Sequence, residues 1–235
     1  MIAAPFCGKL DGQGYKIKGL TINVSIDSAS LNNPAHAVGL FGLCDGARIQ
    51  NLALTNVSVT ITSTSGYIYN NVALNDRNIY AGAIAGYLSN NSVINNSYAT
   101  GNITAKASGE ALGAYAGGLV GYSDLGIVSY SYSNCTVKAT TENQMLSAPV
   151  AAGGIVGISS SEGIINCCYN TGSVTSSTLD YGDACAGGLV GKSDSVSHSI
   201  TNSFNEGAIT AKAGNLFSDN AYSGGIAGYY CGNID

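Results

Sequence analysis

One short segment returns six times along this chain, and that recurrence constrains the fold more than any other feature. It reads Val38-Gly39-Leu40-Phe41-Gly42, Gly82-Ala83-Ile84-Ala85-Gly86, Gly117-Gly118-Leu119-Val120-Gly121, Gly153-Gly154-Ile155-Val156-Gly157, Gly187-Gly188-Leu189-Val190-Gly191 and Gly224-Gly225-Ile226-Ala227-Gly228. The closing glycines stand 44, 35, 36, 34 and 37 residues apart. A second apolar element follows the first five copies, as in Ile49-Gln50-Asn51-Leu52-Ala53-Leu54, Ile94-Asn95-Asn96-Ser97-Tyr98 and Ile165-Asn166-Cys167-Cys168-Tyr169. A turn comes next, with Gly101, Cys135, Gly172 and Gly207 in equivalent places. A third short element such as Asn102-Ile103-Thr104 or Ala208-Ile209-Thr210 then ends the unit.

Repeats of this length that cannot bury an apolar face alone must stack on one another. Three short strands per unit predict an all-β parallel β-helix, a β-solenoid of six to seven rungs. At about 4.8 Å per rung its core is about 30 Å long. Residues 1–235 read as one solenoid domain. Ile103, Val137, Val174 and Ile209 are expected to form an internal aliphatic ladder, and Tyr98, Tyr132, Tyr169 and Phe204 an internal or semi-internal aromatic stack. With a strand period of two, Ile94, Asn96 and Tyr98 share a face. Asn51, Asn96 and Asn202 then form an inward column that bonds backbone amides of neighbouring rungs. Phe6 to Val24 reads as a degenerate first rung, with Ile17, Leu20 and Ile22 where Ile49, Leu52 and Leu54 sit one unit later. In the second rung Val38 replaces the leading glycine. The last unit stops at Asp235 without its second and third strands, so the chain is expected to be a piece of a longer protein.

Composition agrees with short strands and tight turns. Only 10% of residues are charged, where about 25% is usual. Gly numbers 32 and Trp 0, so long helices with charged outer faces are excluded. Net charge is −5, and the 9 basic residues are scattered singly from Lys9 to Lys212, which argues against nucleic acid as a partner. No apolar run approaches the roughly 20 residues of a transmembrane helix. The N-terminus lacks the pattern of a signal peptide.

Candidate chemistry is sparse. Asp45, Asp124 and Asp194 each follow a closing glycine by three residues, with Ser89, Ser160 and Cys231 in the other units. Both residue types stabilise turns by bonding the backbone, so this column reads as turn chemistry, not a glycosidase dyad. His36 and His198 fall in unrelated parts of the repeat and read as solvated or loop residues. No phosphate-loop pattern occurs, and the sequence points to no cofactor and no metal site. The seven cysteines (Cys7, Cys44, Cys135, Cys167, Cys168, Cys185 and Cys231) contain no CxxC. They read as small filler where other units carry Ser or Asn, with one or two surface disulfides as the alternative. Cys167 and Cys168 are expected to point to opposite faces. The outward column Thr104, Lys138, Thr175, Thr210 does not suit an ice-binding face, because Lys138 interrupts it.

Ala116-Gly117-Gly118-Leu119-Val120-Gly121 and the Asn-Ser-Tyr-Ala-Thr-Gly-Asn-Ile-Thr of residues 96–104 resemble the GLUG repeat family. Such repeats occur in large bacterial surface proteins, including adhesin-like proteins and non-catalytic parts of immunoglobulin A peptidases. The resemblance implies a secreted or cell-surface protein and transfers no catalytic residue. The expected function is therefore a structural or adhesive segment, not an enzyme, joined to neighbouring domains of the same chain. The alternative is part of a carbohydrate-active or protease-associated secreted enzyme.

Any ligand, glycan or host matrix protein, is expected at the edge built by the variable segments Thr60–Tyr80, Thr104–Tyr115, Lys138–Ala151, Thr175–Cys185 and Thr210–Tyr222. Segments between rungs can change length without disturbing the stack. Tyr67, Tyr69, Tyr181, Asp183, Asn215 and Tyr222 are the candidate contact residues there.

Overall fold

The computed structural model describes residues 4–26, 36–64, 78–108, 113–142, 149–179, 182–214 and 219–235. None of them is helical, and every strand pairing is parallel. The fold is the expected parallel β-solenoid. Five complete coils are flanked by a partial coil at each end, so the third sheet of the coil contains seven strands in axial order.

Each complete coil contributes to four sheets where three strands were expected, its fourth-sheet strand being split in two in the last two of them. In the central coil they are Ala114–Gly117, Val120–Asp124, Ile127–Ser129 and Tyr132–Glu142. Stacking turns them into first and second sheets of six strands each, a third of seven and a fourth of nine. The glycine segment is not one strand but a corner between two. A Cβ on Gly117 would lie 1.8 Å from the Val120 carbonyl oxygen, and one on Gly121 would lie 2.8 Å from the Ala81 amide. Two backbones meet here with no room for a side chain, while Leu119 between them is fully buried in the main core. In the second rung Gly39, not Val38, takes the leading glycine's place. Val38 pairs with Ala81, and Gly39 packs against the Gly82 carbonyl.

The corner between the third and fourth sheets corrects another expectation. Asn51, Asn96, Tyr130, Cys167 and Asn202 all have φ between 45° and 54°. Asparagine tolerates this left-handed conformation best among residues with a side chain, which is why it dominates the column. The chain turns there, so Ile94 and Tyr98 lie on different strands and share no face. The asparagines point outward, and Asn96 donates through Nδ2 to Asn51 Oδ1 at 2.7 Å on the exposed surface. The inward column is the next residue: Leu52, Ser97, Ser131, Cys168, Ser203. The amides of Leu52, Ser97 and Cys168 donate to the hydroxyls of Ser97, Ser131 and Ser203, at 3.1, 3.1 and 3.0 Å. Serine therefore performs the cross-rung bonding assigned to asparagine.

The aliphatic ladder is as expected: Ile103 pairs with Val137, Val137 with Val174 and Val174 with Ile209, the first three with no exposed surface. Burying one such side chain contributes about 1.5–3 kcal/mol. The aromatic column lies on the outer side, half buried. Its rings stack nearly parallel with centroids 4.6, 4.7 and 5.1 Å apart. In the first rung the offset differs from expectation, since Leu10 pairs with Ile49, Ile17 with Leu54 and Ile22 with Val59. The last unit does include its second strand, Asn233–Ile234, on the third sheet.

Candidate functional site

The fourth sheet has the longest strands, and that length changes where the candidate edge begins. Tyr98–Ser108 and Tyr132–Glu142 pair at eleven consecutive positions. Thr104–Ser108 and Lys138–Glu142, placed above in variable segments, are therefore strand. Alternate residues of these extensions face out and form two columns. One runs Asn23, Thr60, Thr104, Lys138, Thr175, Thr210, and the other Ser25, Thr62, Lys106, Thr140, Ser177, Lys212. Lysine interrupts both, so the objection to an ice-binding face holds for the second column too.

Lysines far apart in sequence thereby share one groove of about 430 Å³. Lys106, Lys138 and Lys212 line it together with Thr140, Ser177 and Thr141. Lys106 Nζ holds Glu142 Oε1 at 2.8 Å, the two side chains being 41% and 48% exposed. Among the described residues Lys138 and Lys212 have no carboxylate partner. Thr141 is buried, and its Oγ1 has no hydrogen-bond partner among the described residues. Counting basic residues along the chain missed this cluster, because only the register of extended strands brings the three together.

Two named contact residues lie beside this edge. Asp183 Oδ1 accepts from the Asn220 amide at 2.9 Å and from Asn220 Nδ2 at 3.0 Å. Tyr222 sits one coil further on, half buried, its ring edge-on to Tyr229 with centroids 5.5 Å apart. Tyr222 packs on a second apolar cluster, separate from the main core, that contains Tyr80, Tyr115, Ala151 and Cys185. Thr178 Oγ1 links the groove to this side, donating to the Gly182 carbonyl and accepting from the Gly214 amide. Tyr67, Tyr69, Tyr181 and Asn215 lie outside the described residues.

The Asp column makes its contacts across rungs, side chain to side chain. Asp45 pairs in register with Ser89, and Asp124 with Ser160. Asn90 donates to Asp45, and Ser160 Oγ lies 3.4 Å from Asp124 Oδ1. Asp124→Ser is expected to change stability by less than about 0.5 kcal/mol. Ile209→Ala should cost about 2 kcal/mol, the low end for a buried isoleucine, because Ile209 keeps part of its surface in solvent. Thermal melts of the two variants test the contrast, and equal losses would show that Asp124 has a role beyond the turn.

All seven cysteines are free thiols. Cys168 takes a serine's place in the inward column, and its buried side lies opposite the half-exposed Cys167. Burial pushes the thiols of Cys44, Cys135, Cys168 and Cys185 up to about 12, which keeps them protonated and poor nucleophiles. His198 does lie in a connection, just before the strand Ser199–Thr201, but it is not solvated. It is buried, with Nδ1 2.8 Å from the Tyr230 hydroxyl. Burial holds its imidazole down at about 4, so it is neutral at pH 7. Ser159 and Ser193 are buried on the adjacent column, and their hydroxyls have no partner among the described residues. Among the described residues no group of three His, Cys, Asp or Glu side chains could hold a metal ion.

A family profile described as "The GLUG motif" matches residues 77–104. This stretch resembles a GLUG motif. It spans the described strands Ile79–Gly82, Ala85–Ser89 and Val93–Asn95 and enters Tyr98–Ser108. The matched stretch thus covers most of one turn of the solenoid, from the strand before the glycine corner into the long fourth-sheet strand. No curated protein sequence matches the chain. A crystal structure from Bacteroides ovatus, provisionally named an immunoglobulin A1 protease, is similar in fold. The TM-score is 0.55 at 19% identity, over 96% of this chain and 60% of that one. The chain thus spans less than two thirds of the length of that structure.

Proposed function

We propose that the chain is an extracellular, structural and adhesive β-helix segment of a longer bacterial surface protein, which binds glycans or host matrix through the edge that follows the fourth sheet. The observation that carries this reading is the contrast between ladder and connection. Paired strands keep register from coil to coil apart from one shift between Ala99 and Gly101, whereas the connection runs from Ser63 to Ile79 in one coil and only from Ser108 to Ala114 in the next. A stack that holds its strands and varies its connections is suited to present different surfaces on a constant scaffold. The GLUG motif and the fold shared with a protein named as a protease support a secreted setting. The sealed, protonated thiols and the enclosed His198 favour a scaffold over a catalytic unit. Single contacts at such an edge are weak, and adhesion would come from several copies acting together.

The test is to replace residues 65–77 with a two-residue turn and screen both folded forms against an array of glycans and matrix proteins. Binding by the parent that weakens in the shortened form is the expected result. Full retention of binding places the contact elsewhere. Binding by neither form reduces the chain to a passive spacer.

A further inference from the structure

We propose that the groove of Lys106, Lys138 and Lys212 is a binding site for a carboxylated polysaccharide, a chain of sugars bearing uronate groups. The proposal rests on the adhesive reading above and gives it a ligand class.

The charge argument comes first. The protein carries a net charge of −5 with only 9 basic residues, yet three of these line one groove. Surface lysines placed for solubility would be dispersed or paired, and self-repulsion makes such a cluster costly unless an anion occupies it. The strand register fixes their spacing. Lys138 is one rung above Lys106 and two residues back along the strand, and Lys212 is three rungs above Lys106 in the same column. At about 4.8 Å per rung and about 3.3 Å per residue, neighbouring cations are about 8 to 14 Å apart at their backbones. That arrangement fits repeated charges on an extended polymer better than one small ion, which would need the ammonium groups to converge.

The type of anion follows from the groove's own contact. Lys106 already grips a carboxylate, Glu142, at 2.8 Å, while Lys138 and Lys212 present the same donor without a partner among the described residues. Lysine offers a point charge with three rotatable donors, adequate for a carboxylate on a flexible chain. Between the lysines stand Thr104, Thr140, Thr175 and Ser177, whose hydroxyls recur rung by rung and can both donate to and accept from sugar hydroxyls. Thr141 Oγ1 adds a buried polar atom in the wall of the groove, without a partner among the described residues. Leu179, 61% exposed at the rim, offers an apolar surface for a sugar face.

The experiment measures binding of the whole chain to polygalacturonate, to dextran sulfate and to neutral dextran by calorimetry at two salt concentrations. Expected results are binding to polygalacturonate that weakens as salt rises and none to dextran. Lys138→Gln with Lys212→Gln should lower affinity at least tenfold. Glu142→Gln should raise affinity, since it removes the groove's carboxylate and frees Lys106. A control pair outside the groove, Arg48→Gln with Lys192→Gln, should leave binding unchanged. Equal weakening by the control pair, or no effect of Glu142→Gln, would reduce the site to general charge and overturn the proposal. Preference for dextran sulfate, which carries sulfate and no carboxylate, overturns the carboxylate assignment. Binding of neutral glycans or matrix proteins that survives Lys138→Gln with Lys212→Gln overturns the groove and leaves the adhesive reading standing. Absence of any ligand in both screens overturns both.

Discussion

Gly153→Ala is expected to destabilise the chain by at least about 3 kcal/mol, the upper range for overfilling a packed interior. For a domain of this size that corresponds to a fall in Tm of about 10 °C. A methyl group on Gly153 would sit 1.9 Å from the Val156 carbonyl oxygen and 2.6 Å from the Gly191 amide of the next coil. Both obstacles are backbone atoms, so no rotamer change relieves the clash. Either the corner opens or the next coil lifts, and lifting breaks the ladder bonds from Gly154 N to Gly187 O and from Ile155 N to Leu189 O. The control lies in the sixth copy of the same segment. Gly225 has nothing within 4 Å of its would-be Cβ, and its φ is not in the left-handed range. Gly225→Ala should therefore be neutral or stabilise by up to about 1 kcal/mol, through the unfolded chain. Thermal melts of both variants decide the matter, and similar losses would mean that these glycines act through backbone flexibility, not close approach.

That contrast also shows how much of the fold the sequence made legible. The recurrence of glycines marked the coil length, because a position where two backbones touch admits no other residue and so survives as a pattern. Apolar ladders such as Ile103 to Ile209 were readable for the same reason, each being buried against its copy in the next unit. The corners were harder. A segment like Gly117–Gly121 has the composition of a short buried strand, and nothing local says that the chain turns between Gly118 and Val120. Asparagine at residues 51, 96 and 202 was correctly singled out, but with the wrong cause. Its value there is tolerance of positive φ, while the smaller Ser97, Ser131 and Ser203 reach the amides of the adjacent rungs.

The candidate site was legible only in outline. The edge was placed by the variable lengths of its connections, and Asp183 and Tyr222 do lie beside it. The lysine groove was not visible, because it depends on where the third element of each repeat ends. Reading Asn102-Ile103-Thr104 as a short strand left Lys106 in a connection, whereas extension to Ser108 gives it a partner column and a face. Cross-strand neighbours are set by register, and register emerges only once the whole ladder is assembled.

His198 is the clearest case of a residue whose role depends on its neighbours, and it gives the second large expected effect. Its position in the repeat is filled by Ala47, Ser92, Gly126 and Gly163 in earlier coils. Each of these passes its carbonyl to the next coil, as His198 does to the Asn233 amide. An imidazole fits only because Gly163 lies below it, where an added Cβ would approach His198 Cδ2 to 2.6 Å. The groups around the ring are the Tyr230 hydroxyl and the buried Ser159 hydroxyl, with no carboxylate to compensate a positive charge. The imidazole accordingly titrates at about 4 in the folded chain, against 6.5 for an unperturbed histidine. Above pH 6.5 both folded and unfolded forms are neutral, and stability is unaffected. As pH falls from 6.5 to about 4 only the unfolded form takes up the proton, so stability drops by about 1.4 kcal/mol per pH unit and about 3 kcal/mol in all. Below about pH 4 the folded form is protonated too and the loss levels off. Carboxylates titrate over part of the same range, so the measurement is a difference. Urea midpoints of the parent and of His198→Ser, the residue already present at Ser92, are compared from pH 7.5 to 4. The variant is less stable at neutral pH because it leaves a cavity, but its decline should be shallower by about 3 kcal/mol, so the two curves converge or cross. Parallel curves would mean that the imidazole titrates in the fold near its unperturbed value of 6.5, with water supplying what Ser159 and Tyr230 do not.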